Sequence, residues 1–543
     1  MPLKRLHRIT LALPLAVLLA SAASAQVVDE PASEQESRLQ STADHTQFEV
    51  LEGPFEDATE VTEACLSCHT EAAKQVHRSI HWTWRYEQPE TGQALGKRNV
   101  VNSLCLGIAG NYPRCSSCHV GYGWEDADFD FSAENRVDCL VCHDTTGTYQ
   151  KFPTAAGHPP YEDRRFQGRL FEAPDLAAVA QRVGRTSRAT CGSCHFEGGG
   201  GDAVKHGDLD SSLIDPPREL DVHMSPQGKD FTCSTCHEFS GHIQAGSRYR
   251  IETDAAGHNP HERPSCRSCH GEAPHEGGVH DKLNEHSEAI ACQTCHIPEI
   301  ARGGLKTKTR WDWSTAGRLD EQGEPVVRKE GGRVVYHGMK GSFEWAEDYA
   351  PSYRWFNGNM RYTLLEERID PEGVVPINRP EGGPDEPGAK IWPFKIMEGR
   401  QPYDRVRQTL LAPKLFGPGD DAAYWGNYDW DKALAAGMEA AQRLGQTDAD
   451  YSGEHGFVES RMYWPVSHMV APAEGALGCG ACHGAGGRMA GLAGIYVPGE
   501  DRHPWVEAVG WAAVGLSLAG VAVHGGIRLV LWRRRRAQEE SPS

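Results

Sequence analysis

Cys65-Leu66-Ser67-Cys68-His69 opens a series that decides how this chain is built. The same spacing returns at Cys115, Cys118 and His119; at Cys139, Cys142 and His143; and at Cys191, Cys194 and His195. It appears again at Cys233, Cys236 and His237; at Cys266, Cys269 and His270; at Cys292, Cys295 and His296; and at Cys479, Cys482 and His483. These eight motifs use all but one of the 17 cysteines. Two thiols so spaced add to the vinyl groups of one haem, and the adjoining histidine ligates its iron. Zinc would need further ligands around each metal, and a thiol–disulfide motif is not repeated eight times. The chain therefore reads as an electron-transfer protein with eight covalently attached c-type haems.

Seven of the motifs crowd into residues 65–296, too densely for an ordinary apolar core. The expected fold is mainly α with extensive irregular loops, a multihaem cytochrome c fold packed around eight haems over residues 61–500. Residues 26–60 read as an acidic flexible leader. Between His296 and Cys479 the chain has no motif but many tryptophans, including Trp311, Trp313, Trp392 and Trp464. There, Leu434, Met438, Ala441 and Leu444 share a stripe that predicts a helix over 431–446. The Pro- and Gly-rich stretch 371–393 predicts a surface loop.

Lys4, Arg5 and Arg8, an apolar run over 9–20 and then Ala23-Ser24-Ala25 describe a secretory signal peptide over residues 1–25. At the other end, residues 508–527 carry no formal charge, with His524 the one titratable group. As a helix this run extends about 30 Å, one hydrocarbon core. Flanking Trp505, Trp511 and Trp532, followed by Arg533, Arg534, Arg535 and Arg536, predict a transmembrane helix over 505–532 and a cytoplasmic tail over 533–543. The expected location is the inner (cytoplasmic) membrane, with the haem domain in the periplasm. A net charge of −20 excludes nucleic acid as a partner. Redox partners should present basic patches, the electron donor being a quinol-linked membrane cytochrome or another redox protein.

A haem that only relays electrons has both axial positions filled, commonly by two histidines. With 26 histidines in the chain, counting alone reveals no open iron. Position selects seven distal ligands: His81, His206, His223, His242, His275, His286 and His468. Trp82 and Trp84 are expected to pack on the porphyrin that His81 serves, and His77 competes with His81. Seven ligands leave one haem without a histidine.

Gly121-Tyr122-Gly123-Trp124, Asp138-Cys139-Leu140-Val141-Cys142-His143-Asp144, the run GGGGDAVKHGD at 198–208, CQTCHIP at 292–298 and WDWSTAG at 311–317 together resemble the octahaem tetrathionate reductases among the multihaem c-type cytochromes. That resemblance implies a periplasmic enzyme in which the haem at Cys115, Cys118 and His119 takes lysine as its distal ligand. Carried onto this chain, the lysine is Lys205, with Asp202 three residues before it and Cys105 as the thiol near the pocket. The implied reaction is reduction of tetrathionate, with nitrite and hydroxylamine as in vitro substrates.

The residues themselves leave alternatives open. Lysine binds iron only as the neutral amine, and when released it becomes a cation beside the site. Without the resemblance Lys205 reads as a surface lysine in a glycine-rich loop, and Lys151 is the second choice of ligand. Cys105 alone reads as a buried inert thiol. Lys306, Lys308 and Arg310 read either as guides for a small anionic sulfur or nitrogen substrate or as a solvated basic face. Two other functions fit the sequence: a nitrite or hydroxylamine reductase or oxidoreductase, and a conduit in which every iron is closed. The Cys-X-X-Cys-Lys motif of many nitrite reductases is absent.

Overall fold

The structure, a computed structural model, describes residues 42–102, 106–198, 200–251, 264–276, 278, 280–501 and 503–539. The signal-peptide residues, part of the leader and Cys105 lie outside the described residues. The expectation of a mainly α fold is corrected here: 28% of the chain is helical and 19% is strand.

Most of that strand forms a nine-stranded sheet in the stretch between His296 and Cys479. Its members are β1 (Thr307–Asp312), β2 (Val327–Glu330), β3 (Arg333–His337), β4 (Gly341–Ala346) and β5 (Ser352–Phe356). They continue with β6 (Val375–Pro376), β7 (Lys390–Asp404), β8 (Thr409–Leu410) and β9 (His455–Pro465). The spatial order is β6-β9-β7-β1-β4-β3-β2, with β5 and β8 also pairing with β7. β7 and β9 form its spine, antiparallel from Phe394 opposite Pro465 to Asp404 opposite His455. β1 runs parallel to β7, with Gly399 opposite Trp311.

Period-two patterning explains why β9 is a strand. Val458, Ser460, Met462 and Trp464 are buried, while Glu459 and Arg461 alternate outward. On the outer face, Glu459 accepts Arg310 from β1 at 2.9 Å and forms an ion pair with Arg400 from β7 at 3.2 Å. Glu398 of β7 meets Arg461 of β9 at 2.8 Å. These cross-strand pairs fix register more than they add stability, being part-exposed. The stretch 371–393, expected as a surface loop, supplies β6 and the start of β7 and buries Val375, Ile377 and Trp392.

Half of the α-helices among the described residues carry motif residues, and those helices are short. α1 (Ala58–Leu66) begins at Asp57, which accepts the N–H of Thr59 at 2.7 Å, and it delivers Cys65. Thr62 of α1 donates to the Val137 carbonyl at 2.7 Å, seating the first motif beside the third. α2 (Arg188–His195) opens on a Ser187/Thr190 capping box and ends on the fourth motif. α3 (Trp430–Arg443) falls where the sequence predicts a helix and buries Leu434, Met438 and Ala441. Each of its larger apolar side chains contributes about 1.5–3 kcal/mol through burial. α4 (Pro504–Glu539) has no buried residue and is apolar enough to be a candidate membrane span.

The leader expected to be flexible is folded in its described part. His45–Gln47 and Glu49–Leu51 are 3-10 turns, and Leu51 and Ala58 are buried with Val61 and Leu140 in a small core.

Candidate haem sites and the pocket at Lys205

Seven motif histidines each face another histidine ring at nearly one distance. The pairs are His69 with His45 (6.3 Å between ring centroids), His195 with His81 (6.1 Å), His143 with His242 (6.4 Å) and His270 with His223 (5.9 Å). The others are His237 with His468 (6.2 Å), His296 with His275 (6.3 Å) and His483 with His286 (6.0 Å). Two imidazoles on one metal, with bonds of about 2 Å and ring nitrogens about 1.1 Å from each centroid, stand about 6 Å apart. The rings therefore fit a six-coordinate iron between them.

Tautomers agree with that fit. Nδ1 of His143 lies 2.7 Å from the Gly184 carbonyl, that of His237 2.9 Å from Ala245 and that of His483 3.1 Å from Pro498. Among the facing rings, His242 Nδ1 contacts Gln75 Oε1 at 2.7 Å and His275 Nδ1 contacts Asn284 Oδ1 at 3.1 Å. An acceptor at Nδ1 keeps the proton there and leaves Nε2 to bind metal. His468 Nδ1 lies 3.2 Å from buried Asp208, which also accepts the N–H groups of Ser467 and His468. Burial holds His195 neutral down to about 3, whereas Asp208 raises His468 against its burial.

Six of the seven expected distal histidines thus stand opposite a motif histidine. His206 does not: its buried ring packs edge-on to Trp464 at 4.8 Å, and burial holds it neutral down to about 3. His45 takes the seventh place. Sequence reasoning passed over it because it lies in the polar stretch before the first motif. The apolar Phe48, Val50 and Leu51 behind it were the available signal, and Phe48 now meets its ring at 5.7 Å.

His119 is the motif histidine left over. It is fully buried in a box of Trp82, Trp84, Trp124, Phe129 and Phe131, with ring centroids 4.9–6.2 Å away. Trp82 and Trp84 therefore serve this motif and not the one that His81 faces. His119 Nε2 lies 2.7 Å from the Trp82 carbonyl, and its buried Nδ1 has no protein partner. Burial holds the ring neutral down to about 3, as a metal ligand must be.

The two lysines differ in what surrounds them. Lys151 is buried and paired with Asp138 at 2.9 Å, and it donates to the His119 carbonyl at 2.5 Å. Asp138 also accepts Tyr122 at 2.8 Å and Tyr149 at 3.1 Å. Lys205 is half-buried, with Nζ 6.0 Å from the Trp464 ring centroid, and its charge acts on Cys118. Its loop is bent at Gly200 (φ 139°), Gly201 (φ 114°) and Ala203 (φ 63°). A Cβ on Gly200 would meet Val204 at 2.9 Å.

Two anchors hold this loop. Asp202 accepts the Ser211 N–H at 3.0 Å and also its hydroxyl. Lys395 of β7, fully buried, donates to the Val204 carbonyl at 3.1 Å, the Lys205 carbonyl at 2.6 Å and Thr307 Oγ1 at 2.5 Å. Burial lowers its amine to about 7. The sequence offered no sign of Lys395, since a lone lysine in a strand pattern reads as solvated. The basic trio of β1 is otherwise employed: Lys306 pairs with Glu347 at 2.9 Å, Arg310 with Glu459, and Lys308 lies over Phe343 at 3.4 Å.

Thiols of different motifs touch. Cys65 and Cys139 are within hydrogen-bonding range, as are Cys118 and Cys194, Cys191 and Cys233, and Cys266 and Cys292. Cys142 with Cys191, Cys236 with Cys269 and Cys295 with Cys482 are near enough to repel as thiolates.

The fold as a whole matches the crystal structure of an octaheme cytochrome c from Shewanella oneidensis with a TM-score of 0.71 and 38% identity, over 84% of this chain and 100% of that one. This chain belongs to the multihaem c-type cytochromes. As such a cytochrome it binds c-type haem and transfers electrons through it. The bacterial cytochrome c family matches residues 308–486, which hold most of the sheet and the last motif. A high-molecular-weight cytochrome c from Nitratidesulfovibrio vulgaris is 21% identical over 43% of this chain, which spans half of that relative's length. An uncharacterized protein from Archaeoglobus fulgidus is 20% identical over 34% of this chain and 74% of its own length.

Proposed function

We propose that this cytochrome is a membrane-anchored reductase carrying eight haems, seven of them bis-histidine relays. The eighth, held by Cys115, Cys118, His119 and Lys205, reduces tetrathionate or a related sulfur or nitrogen oxyanion. One observation carries the reading: His119 has no histidine facing it at the pairing distance among the described residues, and Lys205 is one of three lysines, with Lys97 and Lys151, whose charge reaches Cys118. The bound haems supply one-electron redox chemistry at iron.

The chain's own groups do the rest. The paired rings close seven sites to substrate and limit rearrangement on electron transfer. At the remaining site Lys205 is a lid: the neutral amine occupies the distal position, and once released it takes a proton and attracts an anion. Asp202 and Lys395 hold the loop so that this exchange moves only a side chain. With tetrathionate, two electrons enter, the central S–S bond breaks and two thiosulfate anions leave, with no proton required.

The anchoring half of the proposal rests on α4 and the exported N-terminus, with the haem domain in the periplasm. A quinol-linked cytochrome of the same membrane is the electron source.

The test is a Lys205→Met holoprotein, reduced and then mixed with tetrathionate. Reoxidation should slow by about a hundredfold, the scale of a positioned charge at a reacting centre, and one haem should change its ligand-field spectrum. An unaltered rate with an unaltered spectrum overturns the assignment. Parallel assays with nitrite and hydroxylamine fix the substrate class.

A further inference from the structure

Trp464, at the end of β9, is 1% exposed, and its indole Nε1–H is buried with no acceptor. A buried donor left without a partner costs about 1–3 kcal/mol, so such a group points to something that binds it. Three side chains from two segments, Arg248 from one and the adjacent Lys205 and His206 from the other, converge on this ring. Arg248 places Cζ 5.3 Å from its centroid, Lys205 places Nζ at 6.0 Å and His206 stacks edge-on at 4.8 Å.

Arg248 makes one hydrogen bond, from Nη2 to the Tyr249 hydroxyl at 2.9 Å. Among the described residues no carboxylate pairs with it. The ionisable groups that act on it are Tyr249 and Tyr362, both neutral at ordinary pH, and Arg248 in turn acts on His195 and His206. A guanidinium has five donors, and among the described residues one of them meets an acceptor. A guanidinium and a buried indole N–H, side by side and short of acceptors among the described residues, suit one chemistry even with Asp208 acting on His206: an anionic group presenting several oxygens.

We infer that Arg248 and Trp464 Nε1, beside Lys205, form an anionic-oxygen binding site next to the fourth and second motifs. Two sources present that chemistry: the oxyanion substrate, held for reduction, or a haem propionate. The substrate source deepens the proposed function and rests on it; the propionate source does not.

The experiment uses oxidised holoprotein and thiosulfate as a non-reducible probe, with binding read by calorimetry and reduction potentials by spectroelectrochemistry. For a substrate site, Arg248→Gln weakens thiosulfate binding by about tenfold or more, the worth of a charge-assisted hydrogen bond, without shifting any potential in the absence of thiosulfate. Trp464→Phe, which keeps the ring and removes the N–H, weakens it less, and Arg248→Lys recovers part of the loss. For a propionate site, Arg248→Gln lowers one haem potential and leaves thiosulfate binding unchanged. If neither affinity nor any potential moves in Arg248→Gln and Trp464→Phe, the site is overturned. The Lys205→Met spectrum reports on the proposed function separately, so a wrong distal ligand and a wrong anion site leave different signatures.

Discussion

Asp208 accepts the N–H groups of Ser467 and His468 at 2.7 and 3.0 Å and lies 3.2 Å from the His468 ring nitrogen. Burial alone would raise its carboxyl, but the hydrogen bond and charge of His468 hold it below the usual range. A carboxylate behind a ligating imidazole fixes its tautomer and strengthens it as a donor. Asp208→Asn keeps the shape and removes the charge, so ligation at the haem of Cys233 and Cys236 should weaken about 10- to 100-fold. A redox titration followed by electron paramagnetic resonance checks this, with that haem's potential expected to rise. At this scale the sequence was legible where chemistry is written as a motif. The motif thiols and their histidines follow from spacing alone. His206 and His45 show the limit, because which histidine crosses to which motif is set by long-range packing.

The long strand pair shows what a period-two reading would have delivered and an aromatic count did not. The tryptophans between His296 and Cys479 name no element by themselves, yet β7 and β9 build a sheet whose inner face carries Trp464 and Lys395 to the Lys205 loop. The expected loop 371–393 holds only in part: Pro384 and Pro387 lie outside the strands and Pro376 ends β6, but Pro393 sits inside β7 opposite Tyr353. Helix α3 was legible because its stripe is long and its cap, Asp429, is explicit. Asp404 closes the β7 end of the spine, accepting the N–H groups of Val406, Arg407 and Ser452 at 2.8–2.9 Å and the Ser452 hydroxyl at 2.8 Å. Burial opposes its charge, but these donors hold its carboxyl below the model-peptide value of 3.8. The folded state therefore binds the proton less tightly than the unfolded chain. The stabilisation is complete above the unfolded value and is lost as pH falls through the folded one. Asp404→Asn should cost about 1–3 kcal/mol at pH 7 and flatten the acid limb below about pH 4, as read from urea midpoints.

Over the whole molecule, α4 is separate in kind: none of its residues is buried against the rest. A chain ending at His503 should leave the membrane fraction for the soluble one with unchanged haem spectra; loss of haem content would contradict this. Among the described residues the thiols draw one line through the first, third, fourth, fifth, sixth, seventh and eighth motifs, and Cys118 of the second joins it beside Cys194 of the fourth. A siding with a single junction cannot carry through traffic. On the proposed function, both electrons for one turnover arrive by that junction in succession, so a half-finished substrate has to be gripped until the second comes. Dwell time at the buffer stop, more than speed along the main line, then limits the cycle.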